Sequence, residues 1–413
     1  MDELVDKIIA GELKWHEVEG QTRNDSAIAT SVRRAALEKK YGVALSAIGS
    51  SVIDWNDAIS RNIENPIGAI QIPLGCAGEL MVNGNYAKGS YPILLATTEG
   101  RLVAGIARGI GVANRAGGVR TAVIRDGMTR DVLLRTSNAQ EAAKLAQWIQ
   151  SDVGIKTLSE GFSKATKHGK LLDVRPYVVG RDLHLRFRAH TGAAMGMNMV
   201  TIAAKAAIDS ALAVIEREIG VKAVVISESG NLCSDKKPAF INMLEGRGVS
   251  VVADMSVPKD VIKERFKVEA EAIAELNRVK NLVGSALAGS HGFNAHVANI
   301  LAAMYLAHGQ DPAQITEGAQ AITDVTLLDN GDLYISCYLP ALEVGTYGGG
   351  TKRETQQEVL KLLGLYGDND SSGSTRLALA EIIAATCLVG ELNLLAVQAA
   401  GELSKSHGHI KRG

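Results

Sequence analysis

The stretch TAVIRDGMTRDVLLR, Thr121 to Arg135, reads as two short strand pieces around a turn at Asp126-Gly127, the dipeptide that most favours tight reversal. Working outward from it, Ala139 to Gln150 has helical spacing, with an extension to about Gly161. Leu171–Val179 and Asp182–Arg188 read as strands joined at Gly180-Arg181, Met195–Ile219 as a long helix, and Val221–Ile226 as a closing, buried strand. The order β-α-β-β-α-β is that of the ferredoxin-like split motif. The expected fold class is therefore α+β: an N-terminal helical segment over residues 1–60, a large domain from 61–130 and 228–413, and a small domain inserted at 131–227. In the helical segment, Ala27–Lys40 and Trp55–Asn62 are the expected helices.

Composition narrows the function classes. The chain has 413 residues, 46% of them hydrophobic and 22% charged, with a net charge of −1. That is an ordinary globular balance, and nothing in it points to nucleic acid or an anionic membrane surface. Cys76, Cys233, Cys337 and Cys387 are far apart and form no CxxC, so reduced thiols in a cytoplasmic protein are expected, with neither a disulfide frame nor a metal site. Met1–Ile9 carries acids and no long apolar core, unlike a signal peptide. Leu377–Ala400 is very apolar, but Glu381, Glu391 and Asn393 interrupt it, which argues for a buried helix over a membrane span.

The chemistry-bearing residues lie mostly at strand and helix ends. After the run Val221–Ile226 comes Ser227-Glu-Ser-Gly-Asn-Leu-Cys-Ser-Asp-Lys-Lys-Pro238, a turn-rich loop with two adjacent lysines. A Lys-Lys pair in a turn is ordinarily a solvated surface feature, yet a lysine there can bind an oxyanion or carboxylate as a point charge, with Asp235 beside it to hold that charge in position. Glu99 sits beside small residues, where a partly buried carboxyl would have a raised pKa, although an exposed turn glutamate is the more frequent case. Gly105, Gly109, Gly111, Gly117 and Gly118, interleaved with Arg108 and Arg115, would let backbone approach an anion but lack the GxGxxG register. Thr191-Gly-Ala-Ala-Met-Gly-Met-Asn-Met199 opens the long helix, where a phosphate or polar ligand edge can bind, although three methionines are more often core. Further on, Pro258 to about Val283 reads as one basic helix, Asn294–His308 as another, and Val325–Leu328 with Leu333–Leu339 as a hairpin. Gly345–Thr351 reads as a flexible glycine loop, and His407 lies in a Gly/Lys-rich tail that could act as a mobile flap.

Taken together these fragments resemble the 3-hydroxy-3-methylglutaryl-coenzyme A (HMG-CoA) reductases. The carriers are ENPIG at Glu64–Gly68, TTEGRLVA at Thr97–Ala104, DGMTR at Asp126–Arg130, TGAAMGMNM at Thr191–Met199 and SGNLCSDKKPAFINMLEGRG at Ser229–Gly248. NAHVANI at Asn294–Ile300, GQD at Gly309–Asp311, GTYGGGT and KSHGHI complete the set, over roughly residues 60–413. The pattern is closer to the biosynthetic NADPH-using class than to the NADH-linked one, and lacks the membrane anchor of animal enzymes. The resemblance implies reduction of HMG-CoA to mevalonate and free CoA with NADPH, in a homodimer or tetramer with active sites between subunits, without nucleic acid or membrane partners. It assigns Lys236 as the catalytic cation, Asp311 as its partner, Glu99 as proton donor and His407 as the acid for the leaving thiolate. Arg130, Ser229, Asp235, Lys237 and Asn299 match the groups that hold the acyl part, and Arg108, Lys267 and Lys280 those near CoA phosphates. Ser163, Lys164, Gly192, Ala193, Met195, Gly196, Met197, Asn198 and Met199 match the cofactor site, with Lys164, Lys167, His168 and Lys170 suited to a 2′-phosphate. Three positions depart from the family pattern: Ala193 stands where an aspartate is usual, Ala107 where an asparagine is common and Leu232 where an aromatic is common. The tail also lacks the regulatory serine of animal enzymes. NAD-linked mevalonate oxidation and a binding-competent but catalytically impaired protein are the rival readings, the latter raised by Ala193.

Overall fold

One continuous strand runs from Val119 to Arg135 in the computed structural model, which describes residues 1–367 and 370–401. The expected turn at Asp126-Gly127 does not form. The Asp126 carboxylate, which would cap such a turn, instead meets Arg376 through two 2.8 Å contacts and His190 at 3.0 Å. The pair marks the point where the strand changes partners. Residues 120–127 pair antiparallel with Gly248–Asp254, whereas 128–135 pair antiparallel with Asp182–Ala189.

Among the described residues the nine strands are β1 (Leu74–Asn83), β2 (Lys88–Ala96), β3 (Val119–Arg135), β4 (Lys170–Val179), β5 (Asp182–His190), β6 (Val224–Ser227), β7 (Gly248–Val257), β8 (Ile322–Leu327) and β9 (Leu333–Leu342). Their mixed sheet has the order β2-β1-β3-β7-β9-β8 at one end, with β1–β3 the parallel pair. At the other end of β3 the order is β6-β3-β5-β4, all antiparallel. The hairpin at Asn330-Gly331 forms as expected between β8 and β9. The fold is thus α+β.

Each end of the sheet has its own apolar core. One surrounds the helix Ser374–Ala399 and includes residues of β1, β2, β7 and β9. The other joins the helix Met197–Ile219 to the far half of β3, to β4 and to β5. A third, small cluster ties Val5, Ile8 and Val18 to the helix Ser26–Tyr41, which with Trp55–Arg61 realises the two expected N-terminal helices.

Among the described residues two helices are long and apolar enough to cross a membrane, but Ser374–Ala399 is buried almost throughout by protein. Its acids do not break the apolar span; they satisfy buried loops. Glu381 accepts the backbone N–H groups of Asn85, Tyr86 and Ala87 at 3.1, 2.9 and 2.7 Å. Glu391 accepts those of Ala295 and His296, both at 2.7 Å.

The first three glycines of the expected anion loop serve packing, which corrects that reading for them. Gly105, Gly109 and Gly111 lie inside the helix Leu102–Arg115, and a Cβ on Gly109 would sit 2.2 Å from the Val389 carbonyl oxygen. The expected helix from 139 to 161 is two helices, Ala139–Gln150 and Asp152–Ala165, because extended Ser151 caps the second by accepting from Gly154 N–H. The basic segment from Pro258 is likewise broken. Lys267, left-handed at φ 59°, ends Lys259–Phe266, and Ala270–Leu276 runs on into the π-helical Asn277–Gly284.

Candidate active site

The lysine loop is pinned from below by β3 and β7. Asp131, fully buried on β3, accepts Leu232 N–H at 2.9 Å and meets His184 Nδ1 at 2.8 Å, while its carbonyl accepts Gly230 N–H. Residue 230 must be glycine, since a Cβ there would lie 2.3 Å from the Asp131 carboxylate. Beyond it Asn231, Ser234 and Lys236 all adopt left-handed backbone, at φ 70°, 57° and 59°. Such backbone costs of order 1 kcal/mol or more per residue and persists only where contacts enforce it.

Those contacts are ionic. Arg247, fully buried, donates to the carbonyls of Thr129 and Cys233 at 2.7 and 3.1 Å and to Asp235 Oδ1 at 2.8 Å. Arg130 approaches the other Asp235 oxygen at 3.5 Å. Desolvation pushes the Asp235 carboxyl up, but Arg247, the Gln314 hydrogen bond and Arg130 outweigh it and hold it below the usual range. Asp235 is therefore not the counter-charge of Lys236, as its sequence neighbourhood suggested. That role falls to Asp311, whose carboxylate lies 3.1 Å from Lys236 Nζ. Gly309-Gln310-Asp311 is itself held in place, since Gln310 exchanges hydrogen bonds of 2.9 and 2.8 Å with Gly345. The result is a half-exposed ammonium on a rigid loop, which can stabilise a developing oxyanion.

Of the other acyl-site candidates, Lys237 Nζ bonds the Asp235 carbonyl at 3.0 Å and Ser229 is half-buried, exchanging bonds with Ser227 Oγ. Asn299 lies half-buried on the helix Val297–Ala307. Glu99 is exposed, as the ordinary turn glutamate is; it follows Thr97, whose Oγ1 accepts its N–H. Among the described residues no hydrogen bond or ion pair joins Glu99 to the Lys236 loop. His407 lies outside the described residues.

The turn Thr191–Gly196 forms a second surface. Arg376 Nε donates to Gly192 O at 2.7 Å, and Thr346 N–H donates to Ala193 O at 2.9 Å. Gly345 packs so closely that a Cβ would lie 2.5 Å from Met195 N, so the glycine loop expected to be flexible is embedded at this end. The helix begins two residues later than expected, at Met197, after Gly196 in left-handed backbone (φ 84°) and without a side-chain cap. Uncapped N–H groups at this helix start, half-buried Met195 and Met199, and exposed Asn198 make a surface that fits the polar edge and face of a nicotinamide cofactor. Met197 is turned inward, its sulfur 3.1 Å from Arg247 Nη2. Ser163 and Lys164 are exposed at the end of Asp152–Ala165, beside a shallow depression of about 470 Å³ that they line with Lys156, Ser159 and Glu160.

Two of the three CoA-phosphate candidates are neighbours. Arg108 stacks on Phe266, 5.3 Å from the ring centre, next to exposed Lys267. Lys280 is set apart in the π-helical segment, where burial lowers its pKa and Glu391 partly restores it.

The residues that the sequence reading passed over are Arg247, Glu317 and Glu343. Arg247 lies inside the quoted motif, and an arginine entering a β-branched strand after Glu-Gly was the available signal. Glu317 and Glu343 carried none, since their partners are distant in sequence.

Residues 29–412 match the family model described as hydroxymethylglutaryl-coenzyme A reductase. The chain is 48% identical over 413 residues to the 3-hydroxy-3-methylglutaryl-coenzyme A reductase of Pyrococcus abyssi, covering 100% of both. It is 45% identical over 412 residues to that of Methanocaldococcus jannaschii, covering 100% of this chain and 99% of the relative. Among solved structures, the class II enzyme of Streptococcus pneumoniae bound to NADPH in open conformations superposes with a TM-score of 0.66 at 19% identity, covering 91% of this chain and 88% of that one.

Proposed function

This chain belongs to the hydroxymethylglutaryl-coenzyme A reductase family, and from that premise we propose that it reduces HMG-CoA to mevalonate and free CoA with two NADPH. The observation that carries the reading is the Lys236–Asp311 pair, 3.1 Å apart on a loop locked by buried charge. Thioester and aldehyde reduction both develop negative charge on oxygen, and a preorganised cation is what such chemistry requires. NADPH, when bound, supplies the hydride.

The chain's own residues do the rest. Lys236 holds the developing oxyanion while Asp311 fixes its ammonium. Arg130, Lys237, Ser229, Asp235 and Asn299 orient the acyl carboxylate and hydroxyl. Arg108, Lys267 and Lys280 hold CoA phosphates. Glu99 supplies a proton, and His407 protonates the leaving thiolate. The turn Gly192–Met199 seats the nicotinamide end, with Ser163 and Lys164 toward the 2′-phosphate. Residues 131–227 act as an inserted ferredoxin-like cofactor domain within a substrate domain of 61–130 and 228–413, preceded by the helical segment 1–60. The antiparallel order β6-β3-β5-β4, with two helical crossovers, supports this partition. A homodimer or tetramer with active sites between subunits is favoured because Glu99 is exposed and, among the described residues, makes no hydrogen bond or ion pair to the Lys236 loop. The site of action is the cytoplasm.

Ala193 favours a second reading, a protein that binds both ligands and turns over slowly. Cofactor preference tests the first. With HMG-CoA saturating, kcat/KM for NADPH is expected to exceed that for NADH at least tenfold. A preference for NAD in mevalonate oxidation would point to the reverse reaction.

A further inference from the structure

The mechanism leaves three fully buried charged groups under the lysine loop without a task. Arg247 faces three carboxylates: Asp235 at 2.8 Å, Glu343 at 3.1 Å and Glu317 at 3.6 Å. The same Glu317 oxygen that faces Arg247 also accepts the backbone N–H of Lys236. We propose that Arg247, Glu317 and Glu343 are positioning residues for Lys236: Glu317 fixes its backbone, Arg247 fixes the adjacent Asp235, and Glu343 anchors the Arg247 Nε. The inference rests on the reading of Lys236 as the catalytic cation.

Strain and charge together hold Lys236 in place. Lys236 holds a left-handed backbone that an unbranched L-residue does not keep unaided. Its N–H is met by an acceptor on a different element, the helix Ile315–Gly318, which makes that conformation the satisfied one. Arg247 bonds Thr129 and Cys233 and reaches Met197, so a single buried guanidinium ties the lysine loop to β3 and to the start of the cofactor helix. Two buried glutamates beside one guanidinium already shared with Asp235 cannot both stay ionised. The groups facing the pair are Arg247, Asp235, the Thr316 hydroxyl and the Lys236 N–H on Glu317, and Tyr305, whose buried hydroxyl has no partner among the described residues. Burial raises the carboxyl pKa of both Glu317 and Glu343, and Arg247 only partly offsets it.

Two conservative variants separate positioning from bulk electrostatics. Glu317→Gln keeps an oxygen within reach of the Lys236 N–H and gives up the charge. Glu317→Asp keeps the charge and withdraws the oxygen by one methylene. A displacement of about 1 Å at a reacting group can cost roughly a hundredfold. Glu317→Asp is therefore expected to lose at least about tenfold in kcat with KM for HMG-CoA within about threefold, and to show faster amide hydrogen exchange confined to residues 231–238. Glu317→Gln should keep at least about tenfold more turnover than Glu317→Asp and near-parental exchange. Arg247→Lys, which keeps the charge and loses the fork, should mirror Glu317→Asp and stands in for it if that variant does not fold. Equal or reversed order of the Gln and Asp variants, or unchanged exchange over 231–238 in Glu317→Asp and Arg247→Lys, overturns the proposal. Lys236→Ala measured alongside keeps the two readings apart. If it remains active, the catalytic reading fails, while the exchange data still decide whether the clamp exists.

Discussion

Around Lys236 the backbone is held by buried charge, with Arg247, Asp235 and Asp131 gripping a loop that contains three left-handed non-glycine residues. Around Ala193 the backbone is held by its own carbonyls, through Arg376 to Gly192 and Thr346 to Ala193, and by glycines that permit close approach. The contrast follows from what each surface must do. A site where charge develops needs a cation whose position does not relax during reaction, and low-dielectric ion pairs provide that stiffness. A site that seats a flat, largely neutral ring needs shape and a few polar edges, which backbone geometry supplies. Ala193 sharpens the difference, because an aspartate there would be the one charged side chain on the otherwise uncharged Thr191–Met199 turn.

Removing the cation is expected to have the largest effect. Lys236→Ala should lower turnover by roughly a hundred- to a thousandfold, the usual cost of one oxyanion donor, with its melting temperature close to the parent's because the side chain is half-exposed. Steady-state NADPH oxidation and a thermal melt read both. Near-parental turnover would erase the contrast.

Next in size is Ala193→Asp. The carboxylate would sit near the uncapped start of Met197–Ile219 and can accept from the carboxamide of the nicotinamide. Turnover at saturating NADPH should rise at least about tenfold, equivalent to about 1.4 kcal/mol. A chain that is already fast, and gains nothing from the aspartate, would show that backbone shape alone orients the ring.

Smaller again is Lys164→Ala. Lys164 is exposed, so solvent screening limits its contact with a 2′-phosphate. KM for NADPH should rise about three- to tenfold while KM for NADH holds. An unchanged ratio would reject this helix end as the phosphate reader.

The smallest effect concerns the clasp between the two surfaces. The Asp126 hydrogen bond raises the His190 pKa above 6.5, opposed by burial and helped by Ser371 O. A raised folded-state pKa stabilises the fold below the unfolded value of about 6.5 and loses that contribution as pH climbs through the folded value. The melting temperature should therefore fall from about pH 6 to about pH 8.5 more in the parent than in His190→Gln. Parallel curves would mean that His190 contributes no proton-linked stability.

Much of this was legible in the sequence because it is local. The strand and helix order from Leu171 to Ile219, the hairpin at Asn330-Gly331 and the buried nature of Leu377–Ala400 all follow from periodicity and turn chemistry. What failed depended on distant partners. Asp126-Gly127 has the composition of a turn, yet Arg376, 250 residues away, claims the carboxylate. Gly109 resembles a ligand loop until Val389 is placed against it. Asp235 looks like the partner of Lys236 until Arg247 takes it and Asp311 replaces it. Glu317 and Glu343 had no local signature at all, since a buried acid is intelligible only beside its guanidinium.

The most direct measurement is the stoichiometry of the reaction itself. The purified chain is incubated with HMG-CoA and NADPH, and NADPH oxidised, CoA thiol released and mevalonate formed are counted together, with Lys236→Ala and Ala193→Asp alongside. The account predicts two NADPH oxidised and one CoA thiol released for each mevalonate, faster in Ala193→Asp and at least about a hundredfold slower in Lys236→Ala. HMG-CoA-dependent NADPH oxidation absent from both the chain and Ala193→Asp, or present unchanged in Lys236→Ala, would contradict it.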